Sequence, residues 1–441
     1  MTKTKLFALM GASTIGLLMT ANAVNAQQSG NLSFLIDNGP QSVAVAEAWV
    51  AAYTEKNPDV TIDIEVRPGG GEGDNIVKTR LATGAMSDVF FYNSGSLFQA
   101  INPVQNLLPL TNEPFQANVQ DSFKSVVSAG GEVYGAPFAP AMGGGIFYNK
   151  PIYEELGLEI PKTWDEFMAN NEKIKAAGKT AVIQTYGDTW SSQLFVLADF
   201  YNVLTEVPDF AEKYTAGEAK FATTPAALRG FEKLQETHDA GFFNADFGAA
   251  TYPDGLRMVA TGEGAHYPML TFGIGAIAET VPDHIQDVGF FAQPGDSAET
   301  NGLTTWMPDS IYVAKSTANP DLAKDFVAFV ASPEGCDVRN EAVGATGPYM
   351  IAGCELPADV PPAVADMLPY FQEGGQNFQA VEIVTFKRPA VNADRFLDGA
   401  GHGQLQWRSP LRQRHRAAGH ERNRVLLAGV VHFARPIPAV R

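Results

Sequence analysis

Two hydrophobic periods alternate from the start of the apolar body of the chain. Leu32, Phe34 and Ile36 form a short period-two strand, and Asn38-Gly39-Pro40 turns the chain. Val43, Ala46, Trp49, Val50 and Tyr53 then recur at helical spacing until Asn57-Pro58 stops the helix. Val60, Ile62, Ile64 and Val66 alternate with Thr61, Asp63 and Glu65, a second strand. The glycine-rich loop from Pro68 to Asp74 leads into a helix ending near Gly84, and Asp88 to Tyr92 reads as a buried strand. This strand–helix–strand rhythm predicts a mostly parallel sheet covered by helices.

The rhythm returns further along. Thr163 and Glu166 form a capping box that opens a helix from Trp164 to Ala177, and Gly178 ends it before a strand from Thr180 to Gln184. Pro225 starts another helix that runs to about Asp239. Asn319-Pro320-Asp321 starts one with Leu322, Phe326, Val327 and Val330 on a single face, closed by Pro333. The body reads as two α/β lobes joined by short extended crossings. The glycine-rich stretches Ala139 to Ile146 and Gly262 to Met269 are the expected crossings.

Charge and composition narrow the function. The chain has 441 residues, 45% of them apolar and 18% charged, which fits a globular protein of two or three domains. Its net charge of −18 argues against nucleic acid or an anionic membrane as the main partner. The first 26 residues read as a secretory signal. Lys3 and Lys5 precede the apolar stretch Leu6 to Thr20, and Val24-Asn25-Ala26 supplies the small residues of a cleavage site after Ala26. With no cysteine beside that site, a free periplasmic protein without a lipid anchor is expected. The two cysteines, Cys336 and Cys354, are a disulfide candidate in that compartment. Neither a metal site nor a cofactor is expected, since no clustered histidines accompany them.

Catalytic motifs are missing. Gly69, Gly70, Gly71 and Gly73 lack the order of a dinucleotide loop, and the acids Glu72 and Asp74 would repel phosphate. There is no nucleophile elbow, zinc-protease motif or paired-cysteine motif. The expected loops carry instead the mixture that suits sugar hydroxyls and sugar C–H faces, namely carboxylates, amides and aromatic rings. Asn38, Glu72, Asp74, Asn93, Tyr186, Asp188, Trp190, Tyr267 and Trp306 are the ligand-binding candidates. In an open α/β sheet such loops lie beyond the carboxyl ends of the strands, where ligands bind.

The runs "SDVFFYNSGSLFQAINP", "GGEVYGAPFAPAMGGGIFYNKPIYEELGLEIPKTWDEF", "GEGAHYPM" and "PDLAKDFVAFVASPEG" resemble the family 1 extracellular solute-binding proteins of bacterial carbohydrate ABC importers. The stretch from Tyr134 to Phe167 is the most specific, and the likeness spans about residues 27–390. It implies a two-lobed periplasmic-binding-protein fold with a hinge and an interlobe cleft. Residues 27–140 and 268–330 would form the first lobe, and 141–267 and 331–398 the second. Hinge crossings would lie near 140–146 (with Gly143, Gly144 and Gly145), near 262–269 and near 330. The resemblance further implies a monomer that delivers a carbohydrate to inner-membrane permease subunits without catalysis. A binding protein for a polyamine, peptide or chelate, and an exported glycoside-active enzyme, are the alternatives.

The pattern fades after Pro389. Residues 400–441 hold eight arginines, no lysine and the single acid Glu421. This reversal of the acidic, lysine-preferring body points to a frameshifted or misassembled gene end, so 399–441 is expected to be an aberrant tail.

Overall fold

The computed structural model describes residues 29–371 and 377–379. The expected signal segment and the arginine-rich tail lie outside the described residues.

The first sheet is laid down by the opening pattern. Strands β1 (Ser29–Asp37), β2 (Asp59–Arg67) and β3 (Val89–Tyr92) are connected by helices Pro40–Lys56 and Gly70–Thr83. β1 pairs in parallel with both neighbours, with Leu32 opposite Ile62 and Phe34 opposite both Ile64 and Val89. After the small hairpin β4 (Ser128–Ala129) and β5 (Glu132–Val133) comes β6 (Gly135–Pro137), the far edge of this sheet.

The chain then builds the second sheet around β7 (Met142–Asn149). β8 (Thr180–Val182), β9 (Gly264–Leu270), β10 (Val288–Ala292), β11 (Leu303–Trp306) and β13 (Asn377–Gln379) join it. β12 (Ser310–Val313) returns to the first sheet between β3 and β6, giving the order β2-β1-β3-β12-β6. The second sheet is not mostly parallel as expected. β9, β10 and β11 all run antiparallel to β7, and only β8 and β13 pair in parallel.

Alternation along the central strands separates two cores on the second sheet. Phe147, Tyr267, Met269 and Phe290 face one side; Ile146, Ala265 and Phe291 face the other. The first lobe has its own core, containing Phe34, Trp49, Phe90, Tyr312 and Phe326.

Sheet and core membership correct the expected boundaries. Residues 268–306 run through β9, β10 and β11 of the second sheet rather than the first. Ala331, Cys336, Val343, Tyr349, Met350 and Ile351 sit in the first core rather than the second. The physical reason is helix Pro333–Val343, which packs along helix Pro40–Lys56, with Trp49 Nε1 donating to the Gly335 carbonyl at 2.7 Å. Two of the crossings are therefore Phe138 to Ala141, between β6 and β7, and Met307 to Asp309, between β11 and β12. The third lies between Ile351 and helix Pro362–Met367. Residues 262–269 and 330 lie inside the lobes. The crossings are laced together: Phe138 N–H donates to the Asp309 carbonyl at 2.9 Å, and Ala141 N–H to the Pro348 carbonyl at 2.8 Å.

Gly143, Gly144 and Gly145 are not the bend itself. They are buried residues of β7, and none has a positive φ. A Cβ on Gly144 would collide with the Trp306 ring, and one on Gly145 with the Phe291 carbonyl; at Gly143 it would lie 3.0 Å from Leu303 Cδ2. Glycine is required here so that side chains can lie flat on the sheet. Cys336 and Cys354 form the expected disulfide, with Cα atoms 5.8 Å apart.

Candidate functional site

The carboxyl ends of β1, β2 and β3 point to one edge of the first lobe, and each ends in polar residues. Beyond β1, Asp37 Oδ1 accepts the Gly39 N–H at 3.0 Å and Asn38 Oδ1 accepts the Gly69 N–H at 3.0 Å. The candidate Asn38 thus ties two loops together. Arg67, at the end of β2, is buried; its Nη1 donates to the Pro68 carbonyl at 2.9 Å, and its guanidinium lies 5.9 Å from the Tyr92 ring centre. Helix Gly70–Thr83 begins earlier than the glycine-rich loop suggested, which puts Glu72 in its first turn and Asp74 just beyond it. There they part company: Glu72 is exposed, whereas Asp74 turns inward. Burial pushes the Asp74 carboxyl up, against the pull of Lys78 and Arg67. The Asp74 charge reaches the Tyr92 hydroxyl at the end of β3, and burial with that charge pushes the phenol well up. Asn93 is half-buried, and its carbonyl accepts the Tyr312 hydroxyl at 2.9 Å.

The second lobe answers with rings. Trp190, half-buried, lies 5.2 Å from Tyr252 and 6.1 Å from Phe272, centre to centre. Tyr252 is the first residue of helix Tyr252–Thr261, placed there by the capping box of Thr251 and Asp254. The candidate Asp188 accepts the Tyr252 N–H on Oδ2 at 2.7 Å and so orients this helix end. Tyr186, on the loop of Asp188, is half-buried beside Phe243 and Phe247 of the segment that precedes helix Tyr252–Thr261.

These two edges meet. Gly70 has φ of 62°, and a Cβ there would lie 3.4 Å from Trp190 Cδ1. A Cβ on Gly275, in helix Gly273–Thr280 of the second lobe, would lie 3.4 Å from side-chain atoms of Gln41, Val343 and Thr346. Several buried polar atoms along this seam have no hydrogen-bond partner among the described residues: Gln41 Oε1, Ser94 Oγ and Tyr252 Oη. Buried polar groups of this kind are nearly always paired in native proteins, with protein, water or a ligand, so these atoms are open to a further partner, as are others elsewhere in the molecule such as Gln184 Nε2 and Gln293 Oε1.

Two sequence candidates fall away from the seam. Tyr267 is 1% exposed, and its hydroxyl is paired with Thr185 Oγ1 at 2.8 Å inside the second core. Trp306 is buried over Gly144. Both are strand residues whose rings face a core, which is the correction to their reading as edge-loop aromatics. The seam also contains residues the sequence reading missed: Gln41, Arg67, Ser94, Tyr252 and Phe272. Only Tyr252 carried a local signal, its position just inside a capping box.

A two-lobed α/β body with crossings between its sheets and an unpaired polar seam between its lobes is the architecture of a solute-binding protein. The model of the bacterial extracellular solute-binding protein family matches residues 38–335, and the chain belongs to that family. Among its relatives, the multiple sugar-binding protein of Streptococcus mutans is 25% identical over 338 residues, covering 75% of this chain and 78% of the relative. The melibiose/raffinose/stachyose-binding protein MelE of Bacillus subtilis is 21% identical, covering 66% and 68%. A raffinose complex of the binding protein RafE superposes with a TM-score of 0.67 at 22% identity, covering 80% of this chain and 90% of that one. A chitin oligosaccharide binding protein does so with a TM-score of 0.68 at 23% identity, covering 81% and 90%. The folds are shared with these structures.

Proposed function

We propose that this protein is the exported substrate-binding component of an ABC importer, that it holds a sugar or oligosaccharide in the interlobe seam, and that it hands it unaltered to permease subunits in the inner membrane. The observation that carries the reading is the cluster of the Trp190, Tyr252 and Phe272 rings on the edge of the second lobe, which meets the first lobe at Gly70 and carries the unpartnered Tyr252 hydroxyl, with Gln41 Oε1 and Ser94 Oγ unpartnered on the first. Rings give a flat apolar surface for sugar C–H faces, and unpaired donors and acceptors suit hydroxyls. Asn38 and Asp188 serve by bracing the loops, and Asp74 by its hydrogen bond with the Tyr92 hydroxyl. Contacts from both lobes exist together only when the lobes are closed, so ligand favours closure about the crossings. The names of the relatives from Streptococcus mutans and Bacillus subtilis point to the same ligand class. The reading places the protein in the periplasm as a monomer after cleavage following Ala26.

Thermal-shift screening of the mature protein against sugars, polyols, polyamines and peptides tests this. A selective saccharide should raise the melting temperature by mass action. Stabilisation by a polyamine or peptide alone, with no saccharide response, would replace the reading by a non-sugar solute, and turnover of a glycoside would replace it by an enzyme.

A further inference from the structure

Arg67 is the last residue of β2 and is 4% exposed. Its hydrogen bonds go to the main chain. Nη1 donates to the Pro68 carbonyl at 2.9 Å and Nη2 to the Phe91 carbonyl at 3.4 Å, so one guanidinium clamps the ends of β2 and β3. It takes part in none of the ion pairs among the described residues, although its charge reaches Asp74. Burying a cation is costly, and a well-packed apolar side chain of similar volume often stabilises a fold as well. What the planar fork adds is a fixed geometry between the groups it holds.

Those groups stand directly behind the contact between the lobes. Pro68 is followed by Gly69, whose N–H donates to Asn38 Oδ1, and by Gly70, which bears on Trp190 of the second lobe. The start of helix Gly70–Thr83 sits down on the guanidinium, since a Cβ on Gly73 would collide with the Pro68 carbonyl oxygen and with Arg67 Nη1. The next residue, Asp74, hydrogen-bonds the Tyr92 hydroxyl, and Arg67 and Lys78 are the cations that act on its carboxyl. Tyr92 feels Asp74, Arg67 and, from β12, Tyr312. Arg67 thus joins two strand ends and a helix start that together form the first-lobe side of the Trp190 contact.

We propose that Arg67 is a positioning residue for saccharide binding, which touches no ligand itself and holds the Pro68–Gly70 corner and the Asp74–Tyr92 pair where the second-lobe rings meet them. This rests on the sugar-binding reading and adds a residue to its machinery. Isothermal titration across a pH series tests it, with the saccharide that stabilises the mature protein most in the thermal screen and with wild type, Arg67→Met and Arg67→Lys. Arg67→Met fills the space without the fork, and the saccharide should bind about ten-fold or more weakly. It also removes a cation from Asp74, whose carboxyl burial already pushes up. Asp74 then takes its proton at a higher pH, so the fall of affinity on acidification should begin at a higher pH than in the wild type. Arg67→Lys keeps the charge and loses the fork, so it should restore the pH at which that fall begins but only part of the affinity. Wild-type affinity in Arg67→Met, or a loss with the pH dependence unmoved, overturns the positioning role and leaves the sugar reading standing. If Arg67→Met does not fold, Arg67→Lys decides: weaker binding with the wild-type pH dependence supports the role, and wild-type affinity overturns it. No saccharide response from the wild type overturns the sugar reading and this inference together.

Discussion

Tyr252 separates binding from folding at a single atom. Its hydroxyl is buried without a partner while its ring packs against Trp190 and Phe272. Tyr252→Phe removes an unsatisfied group and keeps the ring, so the denaturation midpoint should hold or rise slightly. Saccharide affinity should fall about ten-fold, the worth of one hydrogen bond in a desolvated site. Parallel chemical denaturation and calorimetric titration of the variant check both halves. His266 governs a different property. It is wholly buried, with Nδ1 2.8 Å from Asn171 Oδ1 and Nε2 2.7 Å from the Tyr153 hydroxyl, contacts a neutral ring satisfies. Burial pushes its pKa down to about 3. The unfolded chain takes up this proton near pH 6.5 and the folded one does not, so stability is lost as the pH falls from about 6.5 toward 3. At pH 5 the His266 share of that loss is about 2 kcal/mol. Urea midpoints at pH 7 and pH 5 should show this drop in the wild type and a smaller one in His266→Gln.

At the scale of elements, glycines and the disulfide decide how the lobes are held. Gly144 leaves room for the Trp306 ring on the central strand of the second sheet. Gly144→Val should cost about 1–3 kcal/mol by overpacking, read as a lowered melting temperature. The bridge from Cys336 to Cys354 ties helix Pro333–Val343 to the segment that follows Ile351, with a sequence separation of 18. A loop of that size stabilises by about 3 kcal/mol, so reduction should lower the denaturation midpoint accordingly. The opening elements were legible in the sequence because their apolar period is set by one buried face. The strands from Leu32 and Val60, the helix from Pro40 and the capping box at Thr163 all appear where the pattern puts them. The cysteine pair was legible for a similar reason, since an exported chain with two thiols has one way to bridge them. Lobe membership was not legible. Segments 268–306 and 331–351 are placed by contacts with strands and helices far away in the chain, which no local period encodes. Tyr267 and Trp306 have the composition of loop aromatics and the neighbours of core residues. Gln41 and Ser94 become site candidates only when the two lobe edges are seen to face each other.

The whole molecule is two α/β bodies whose edges meet, and the proposed function places the ligand on that seam. Trp190 of the second lobe already lies against Gly70 of the first, so a ligand in the seam touches both. The crystal structure of the mature protein with the saccharide that stabilises it most in the thermal screen tests this directly. The sugar should lie between the Trp190, Tyr252 and Phe272 rings on one side and Gln41, Tyr92 and Ser94 on the other. A saccharide bound to one lobe alone, or on the outer surface away from these residues, would contradict it.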